Sequence, residues 1–264
     1  MTRPIITLTT DFGLKDPYVA EMKAVILNIC PEAAIVDVSH QIEKFNIRMG
    51  AYILAAASPY FPKGSIHIAI VDPAVGTKRR ALCIETKNGF FVAPDNGVLI
   101  LAAKAQGISH AYEITNRKFM LPVISNTFQG RDVFSPAAAN LANGIHPSDL
   151  GPEVRNLVIP EFAKVVRGRY RIVGEVVHID DFGNVMTNIG GSDLESVNRE
   201  KVVKLRVGKS GLMADFCKTY AEVEPKKPMV LIGSHGFFEI SVNQGNAART
   251  LKVKIGDKVT VYPS

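Results

Sequence analysis

The sequence lacks the features that mark several large classes of protein. Its longest apolar runs, 51–57 and 98–103, fall well short of the roughly 20 residues that a membrane-spanning helix needs. The first residues pass directly into the strand-like segment 4–8, without the charged region, apolar core and cleavage site of a secretory signal. We therefore expect a cytoplasmic protein that does not associate with membranes.

Cysteine is scarce, and no metal-binding pattern is visible. The three cysteines are odd in number and far apart, and none of the six histidines has the i, i+4 spacing of a zinc site. The sequence favours reduced cysteines in the core, at positions Cys30, Cys83 and Cys217. No metal site is expected.

Phosphate-binding loops are also missing. There is no Walker pattern and no G-x-G-x-x-G after the first strand-like run, so a nucleoside without phosphates is favoured over ATP or NAD. The net charge of +6 comes from basic residues that are scattered among acidic ones. Because nucleic-acid binding usually needs clustered basic residues, we expect no nucleic-acid partner.

The patterns that are present predict two domains. Up to about residue 144, strand-like and helix-like segments alternate, which indicates an α/β domain with a largely parallel sheet between helices. The last helix of this domain is predicted over 131–142. A smaller all-β, barrel-like C-terminal domain is predicted from short strands with Gly, Asn and Asp turns, including one strand at 251–255. The predicted boundaries are 1–155 for the first domain, 156–170 for a linker and 171–264 for the second domain.

Three carboxylates follow strand-like runs, namely Asp11, Asp72 and Asp180. Open α/β sheets bind ligands at the carboxyl ends of their strands, and the two oxygens of a carboxylate match the vicinal hydroxyls of a ribose. Such an aspartate can equally hold a metal or cap the following helix. The sequence leaves these interpretations open.

An arginine, Arg79, lies seven residues after Asp72 across a glycine turn. The two side chains form either a surface ion pair of small energetic value or a pair that holds a polar molecule such as water or hydroxide. The stretch 126–136 places aromatic residues, including Phe128, beside the polar Gln129. This mixture suits a site where a flat apolar group meets a reacting polar group.

In the second domain, Phe182 and Asn184 are two residues apart. An adenine can stack on an aromatic ring and can bond along its edge to an amide that both donates and accepts. The alternative is a hairpin turn that Asn184 stabilises. The polar segment 243–248 could likewise supply backbone groups to a purine.

Six segments in this order carry a family resemblance: 10–13, 71–77, 93–97, 127–134, 181–184 and 243–248. On these segments the chain resembles the S-adenosyl-L-methionine (SAM) hydroxide adenosyltransferases, which are adenosine-forming SAM hydrolases related to the bacterial fluorinase and chlorinase. The resemblance covers nearly the whole chain. It implies conversion of SAM and water to adenosine and L-methionine, with SAM as the substrate and with no cofactor.

The resemblance also implies a homotrimer that binds SAM between the N-terminal domain of one subunit and the C-terminal domain of its neighbour. It implies that Asp72, Arg79 and the residue at 129 hold the attacking water, and that Asp11 binds the ribose hydroxyls. Further ligand contacts are implied at Phe128, Asp180, Phe182, Asn184, Ser234, Glu239, Val242 and Asn243.

Two departures from the related proteins bear on the activity. The halogenases have a tyrosine at the position of Asp72 and hydroxyl residues at those of Val75 and Gly130, so hydrolysis is favoured and Gly130 is expected to leave room. The hydrolases have a histidine where this chain has Gln129, and glutamine can bond to a water but cannot take its proton. We therefore expect weakened hydrolysis. A SAM-dependent halogenase and a non-catalytic SAM- or adenosine-binding protein are the alternatives.

Overall fold

The computed structural model describes residues 3–195 and 201–262. The chain divides into two compact units, Met1–Ile159 and Pro160–Ser264, and the division falls within the predicted linker. Within the described ranges, no helix is long and apolar enough to cross a membrane.

The first unit contains a six-stranded sheet with the order β2-β1-β3-β5-β4-β6. Its strands are β1 (Ile5–Thr10), β2 (Ala34–Ser39), β3 (Ser65–Ile70), β4 (Ala81–Thr86), β5 (Gly89–Pro94) and β6 (Ile108–Glu113). β1 runs parallel to β2 and β3, and β3 runs parallel to β5. Only β4 is antiparallel to its neighbours, β5 and β6. The predicted largely parallel sheet is confirmed.

Four α-helices belong to this unit: α1 (Tyr18–Ile29), α2 (Ile47–Ala57), α3 (Ile100–Gln106) and α4 (Ser135–Ala142). α1 packs against α4, and α2 packs against α3. Side chains alternate between the two faces of a strand, and Ile6 and Leu8 of β1 accordingly share one core with Met22 and Ile26 of α1. The helical spacing of apolar residues in α1 and the alternation of apolar residues in β1 therefore bury both sets of side chains in the same core.

The helix predicted over 131–142 begins differently from the expectation. Its first part, Gly130–Phe134, is a π-helical turn, which leads into α4. Pro136 has no backbone N–H, so it cannot donate to the Asp132 carbonyl as an α-helix requires. That carbonyl instead accepts from the amide of Leu121 at 2.9 Å. The proline and this outside donor explain the wider turn, a feature often found at functional sites.

The second unit is all-β apart from short helical segments. Its strands are β7 (Val166–Gly168), β8 (Arg171–Ile179), β9 (Val185–Gly190), β10 (Val202–Val207), β11 (Ser210–Phe216), β12 (Pro228–Ile232), β13 (Phe237–Val242) and β14 (Lys258–Tyr262). β14 pairs with both β10 and β8, which closes seven strands into a barrel, while β7 pairs with β8. The predicted barrel is confirmed.

Two elements of the barrel differ from the prediction. The segment 251–255 is not a strand; the chain forms the helix α5 (Ala247–Leu251) and then a turn. The Asn246 side chain caps α5 by accepting from the amide of Arg249 at 2.8 Å, and asparagine is a preferred capping residue. β11 was not predicted, because its half-exposed residues give only a weak hydrophobic alternation. Its antiparallel pairing with β10 is what makes it a strand.

Candidate functional site

A cavity of about 310 Å³ lies where β1 and β3 end, and we call it the α/β cavity. Adjacent parallel strands end at the same edge of a sheet, so the residues that follow them meet there. The cavity is lined by Asp11, Phe12, Tyr18, Lys44, Phe45, Ile70, Asp72, Val75, Thr127, Phe128, Gln129 and Gly130. Four of the predicted site residues are therefore brought together: Asp11, Asp72, Phe128 and Gln129.

Asp11 is buried and is held by the segment before α2. Its Oδ2 accepts from the backbone amide of Phe45 at 2.8 Å, and the ammonium of Lys44 donates to its backbone carbonyl. Phe45 has a φ of +64°, an unusual value for a residue other than glycine. The carboxylate is thus fixed in position while it lines the cavity, as a ligand for hydroxyl groups should be.

Asp72 and Arg79 form a buried ion pair and not a surface one. Nε and Nη2 of Arg79 both donate to Oδ2 of Asp72, at 2.9 and 2.6 Å. The side chain of Arg79 is only 9% exposed and that of Asp72 only 5%. The guanidinium also lies 5.4 Å from the ring centre of Phe134. Among the residues that the structure describes, Oδ1 of Asp72 accepts only a long bond of 3.3 Å from the amide of Ala74. This second oxygen keeps acceptor capacity for a water.

Three aromatic rings form one wall of the α/β cavity. The ring centre of Phe128 lies 5.8 Å from that of Phe12 and 5.1 Å from that of Tyr18, both in edge-to-face geometry. The guanidinium of Arg131 also lies over the Phe128 ring, 5.1 Å from its centre. Edge-to-face contacts and a cation over the ring favour one orientation of Phe128.

Arg131 connects this wall to α1. It donates to Oδ1 of Asp132 at 2.6 Å and to Oε2 of Glu21 at 2.7 Å. Hydrogen bonding to Asp132, and then to Glu21, raises the pKa of Arg131 above its ordinary value. Oδ2 of the buried Asp132 accepts from the amide of Ser125 at 2.7 Å. The loop before Gln129 and the π-helical turn after it are therefore tied to the same carboxylate.

Gly130 lines the α/β cavity, and the space around it is tight. A Cβ atom there would lie 3.3 Å from Cε2 of Phe128 and 3.4 Å from Sδ of Met22. The aromatic wall packs directly against the backbone at this glycine. A Cβ atom at this position would require the Phe128 ring to shift by a few tenths of an ångström.

Gly76 brings the Asp72 loop against the Gln129 loop. It has a φ of +80°, and a Cβ there would lie 2.7 Å from the carbonyl oxygen of Asn126. Only glycine combines this backbone conformation with so close an approach. Gln129 itself is partly buried, lines the cavity, and within the described ranges its side chain has no hydrogen-bond partner. Its neutral amide can donate to and accept from a water.

A second cavity, of about 520 Å³, lies in the barrel unit, and we call it the barrel cavity. It is lined by Asp180, Phe182, Asn184, Tyr220, Val242, Gln244 and Gly245. Phe182 is 79% exposed, a large apolar surface for a residue beside a cavity. The predicted residues Asp180, Phe182, Asn184 and Val242 are thus brought together.

The turn that carries Phe182 is closed by hydrogen bonds between Asp180 and Asn184. The backbone amide of Asn184 donates to Oδ1 of Asp180 at 2.8 Å, and Nδ2 of Asn184 donates to Oδ2 at 2.9 Å. Gly183 has a φ of +87°, and a Cβ there would lie 2.1 Å from the side chain of Asn246. Asn184 therefore stabilises the turn, and its side-chain oxygen Oδ1 can still accept a hydrogen bond.

Three predicted ligand contacts do not line the barrel cavity. Ser234 is exposed in the turn between β12 and β13, and Glu239 is buried within β13. Nδ2 of Asn243 donates to the carbonyl of Val223 at 2.7 Å, which stabilises a turn.

Conversely, reasoning from sequence missed Tyr220, which lines the barrel cavity, and Phe45, which lines the α/β cavity. Each is an aromatic residue in a polar segment, and that is the signal that could have identified them.

Two further kinds of group, potential metal ligands and cysteine thiols, lie in the described part of the chain. No group of three or more His, Cys, Asp or Glu side chains is placed to hold a metal there. All three cysteines are free and buried, as predicted. Burial raises the pKa of the Cys83 thiol above its ordinary value, with a further contribution from Glu85, so this thiol stays protonated.

The chain is thus a two-unit protein with carboxylates at the strand ends of an α/β sheet in one unit and, in the barrel of the other, an exposed aromatic ring beside a second cavity. Comparison with known sequences then identifies the family. The sequence models of the SAM hydroxide adenosyltransferase N-terminal and C-terminal domains match residues 6–151 and 174–260. The chain belongs to the SAM hydroxide adenosyltransferase family.

Its relatives include proteins named (R)-S-adenosyl-L-methionine hydrolase. The one from Salinispora tropica is 39% identical over 98% of this chain and 97% of its own, and the one from Methanocaldococcus jannaschii is 38% identical over 97% and 95%. A fluorinase from Actinoplanes is 29% identical over 98% and 97%. An uncharacterised conserved protein from Thermotoga maritima has a similar crystal structure, with a TM-score of 0.86 and 40% identity over 97% of this chain and 99% of that one.

Proposed function

We propose that this protein hydrolyses SAM to adenosine and L-methionine. The observation that carries the proposal is the buried Asp72–Arg79 pair, whose aspartate lines the same cavity as Asp11. The full-length relatives named as SAM hydrolases support it. The more distant fluorinases make a halogenase the second candidate, but the negative charge of Asp72 disfavours a halide in this cavity.

The proposed reaction needs a positioned nucleophile more than it needs acid catalysis. A sulfonium is a good leaving group, so the C5′–S bond can break without a proton donor. Asp72 Oδ1 accepts a hydrogen bond from the water and orients its lone pair towards C5′, while Arg79 holds Asp72 through the other oxygen. Holding the two reactants at attack distance accounts for most of the expected acceleration. A C5′–O bond forms, the electron pair of the C5′–S bond goes to sulfur, and one proton of the attacking water passes to bulk solvent, so that neutral adenosine and methionine result.

Gln129 contributes a hydrogen bond to the water but no proton transfer. An amide can orient the water from the side of the π-helical turn, but it remains neutral throughout the reaction. The chain is therefore proposed to be active at a reduced rate.

The remaining predicted residues are proposed to bind the substrate. Asp11 accepts the ribose hydroxyls and Phe128 packs beside the ligand in the α/β cavity, while Phe182 stacks on adenine in the barrel cavity. The other proposed contacts to the adenine or methionine parts are Asp180, Asn184, Ser234, Val242 and Asn243. Glu239 is proposed with them as a further contact to the substrate.

A homotrimer is part of the proposal, with each SAM bound by the α/β cavity of one copy and the barrel cavity of its neighbour. The test is subunit complementation between Asp72→Asn and Phe182→Ala. When the two inactive or weakened variants are mixed and reassembled, some shared sites contain neither substitution, and activity should return. Mixing without any recovery, despite exchange of subunits, would place the whole site in one copy.

Two further proposals concern which epimer of SAM the protein prefers and where in the cell it is located. The relatives' name specifies the (R)-sulfonium, so we propose that this chain prefers (R)-SAM. Three buried, unpaired cysteines suit a reducing compartment, in keeping with a cytoplasmic protein.

Incubation with each SAM epimer, followed by chromatography, tests the function. Adenosine and methionine in equal amounts, formed faster from (R)-SAM, are expected. A halogenated nucleoside in the presence of chloride or fluoride would instead support the halogenase. Tight adenosine binding by calorimetry without any turnover would support a non-catalytic binding protein.

A further inference from the structure

Residues 10–13 form the loop that carries Asp11, and we call it the Asp11 loop. His40, the residue that follows β2, contacts this loop at both of its ends. Nδ1 of its ring lies 2.8 Å from Oγ1 of Thr10, and its backbone carbonyl accepts from the amide of Gly13 at 2.8 Å. The side chain and the backbone of one residue therefore hold the two ends of the loop.

The contact between Thr10 and His40, which we call the Thr10–His40 tether, has a defined direction. Oγ1 of Thr10 accepts from the backbone amide of Phe12 at 3.2 Å, so the hydroxyl proton is available to Nδ1 of His40. The ring proton then lies on Nε2, which is 3.1 Å from Oδ1 of Asp37 in β2. A carboxylate beside this nitrogen favours that tautomer. The tether thus links the backbone of the Asp11 loop to a ring that β2 orients.

The Thr10–His40 tether is buried and lies outside the α/β cavity. Thr10 is 0% exposed and His40 is 4% exposed. Neither residue lines the cavity, whereas Asp11 and Phe12 both do. A buried polar group that loses its partner costs more than an exposed one, because water does not replace the lost bond. A change at His40 is therefore expected to act on the cavity through the Asp11 loop.

We infer that His40 is a positioning residue: it holds the Asp11 loop so that the Asp11 carboxylate can accept the vicinal hydroxyls of a ribose, and it thereby makes the site selective for ribonucleosides without contacting the ligand. This inference rests on the proposed function, in which Asp11 binds the ribose of SAM. Lys44 and the amide of Phe45 hold Asp11 itself, whereas His40 holds the ends of its loop.

The test measures selectivity for the ribose hydroxyls, with adenosine and 2′,3′-dideoxyadenosine as ligands in competition calorimetry. The wild type should prefer adenosine. His40→Leu and Thr10→Val should each lower this preference about tenfold, the size expected when a carboxylate loses a well-placed hydrogen bond to the ligand. The Kd for dideoxyadenosine should not change, because this ligand has no hydroxyls for Asp11. The kcat for SAM should fall in the same two variants, because the ribose carries the reacting C5′ atom.

Two variants separate loss of the tether from loss of shape. His40→Asn keeps an acceptor oxygen close to the position of Nδ1, so it should retain most of the preference for adenosine. The double variant Thr10→Val/His40→Leu should lose no more preference than either single variant, because both substitutions remove the same bond. Thr10→Val nearly preserves the side-chain shape, and it carries the test if His40→Leu does not fold.

The chain offers a matched control in β3. Nδ1 of His67 lies 2.8 Å from the hydroxyl of Thr7, and both residues are buried. Neither of them lines the α/β cavity. His67→Leu should therefore lower thermal stability by about as much as His40→Leu, while the preference for adenosine and kcat keep their wild-type values.

Each outcome decides one question. An unchanged preference in a folded His40→Leu chain, an equal weakening of both nucleosides, or the same loss of preference in His67→Leu would overturn the positioning role while the proposed function stands. The same holds for a wild type that hydrolyses SAM but binds both nucleosides equally. A wild type that neither binds adenosine nor hydrolyses SAM would overturn the proposed function itself.

Discussion

The two cavities differ in how their side chains are held. In the α/β cavity, the carboxylates of Asp11 and Asp72 are buried, and each accepts a hydrogen bond from a residue farther along the chain, Phe45 and Arg79 respectively. In the barrel cavity, the largest groups are aromatic: Phe182, on a tight turn, is 79% exposed, and Tyr220, on a short helix, is 43% exposed. The α/β cavity thus has two buried, fixed carboxylates beside its aromatic wall, whereas the barrel cavity has a highly exposed aromatic ring beside a single carboxylate, Asp180.

This difference indicates a division of labour. A reacting water must be placed to within a fraction of an ångström, and buried, paired charges provide that rigidity. Recognition of a flat base needs a large apolar area with few constraints, which exposed aromatic rings supply. Substitutions in the first cavity should therefore lower kcat, whereas those in the second should raise KM.

The largest expected effect is on turnover in Asp72→Asn. The amide keeps the shape but loses the charge that orients the water and pairs with Arg79. We expect kcat to fall about 10³-fold, which corresponds to roughly 4 kcal/mol, while SAM still binds. Steady-state kinetics and calorimetry with SAM measure the two quantities.

The chain offers a matched control in Asp95, which is also 5% exposed on its side chain and accepts from Nε and Nη2 of Arg80 through one oxygen. It lies outside the α/β cavity. Asp95→Asn should cost similar stability but little turnover. Equal losses of kcat in both variants would mean that Asp72 acts only through folding.

A second effect concerns the stability of the α/β unit. His67 in β3 is 2% exposed, bonds to the hydroxyl of Thr7 at 2.8 Å, and stacks on Phe91. Burial lowers the pKa of His67 from its usual 6.5 to about 4. Between these values the unfolded chain binds a proton that the native chain does not, so stability is lost as the pH falls from 6.5 towards 4.

At pH 4.5 this proton should cost about 2–3 kcal/mol of unfolding free energy relative to pH 7. Denaturant titrations at both pH values, on the wild type and on His67→Gln, isolate the contribution from those of other groups. The variant should lose less stability on acidification. An identical loss in both chains would show that His67 is already protonated in the native state or does not titrate in this range.

The barrel cavity is tested by Phe182→Ala. Stacking of a base on an aromatic ring is worth about 1–3 kcal/mol, so KM for SAM should rise roughly tenfold or more. kcat should change little, and the high exposure of the ring means that thermal stability should be kept. Tyr170→Ala is the control, since Tyr170 is 70% exposed in the same unit but lies outside the barrel cavity. A fall in kcat with unchanged KM would reverse the comparison between the two cavities.

The smallest expected effect is an increase in kcat. Gln129→His introduces a group that can take the proton of the attacking water, and kcat should rise at least roughly tenfold. Gln129→Ala should lower kcat below that of the wild type, because the remaining hydrogen bond is lost. Equal rates for all three chains would remove position 129 from the mechanism.

Individual residues show how far sequence alone reaches. The period of two at Ile6 and Leu8 and the helical spacing of Met22 and Ile26 predicted the α/β layers correctly, because these patterns record which face is buried. The strand predicted at 251–255 failed because one capping side chain, Asn246, began a helix just before it. β11 was missed because its register with β10, and not its own composition, defines it as a strand.

The same limit applies to the candidate site. By itself, the sequence determined that carboxylates follow the strands β1 and β3, that an arginine follows Asp72, and that aromatic and amide residues occupy tight turns. Only the tertiary structure decided that the Asp72–Arg79 pair is buried, that Gly130 is packed against Phe128, and that His40 reaches Thr10. These properties depend on contacts between segments far apart in the chain, and hydrogen bonding and burial at such contacts leave no periodic trace in the sequence.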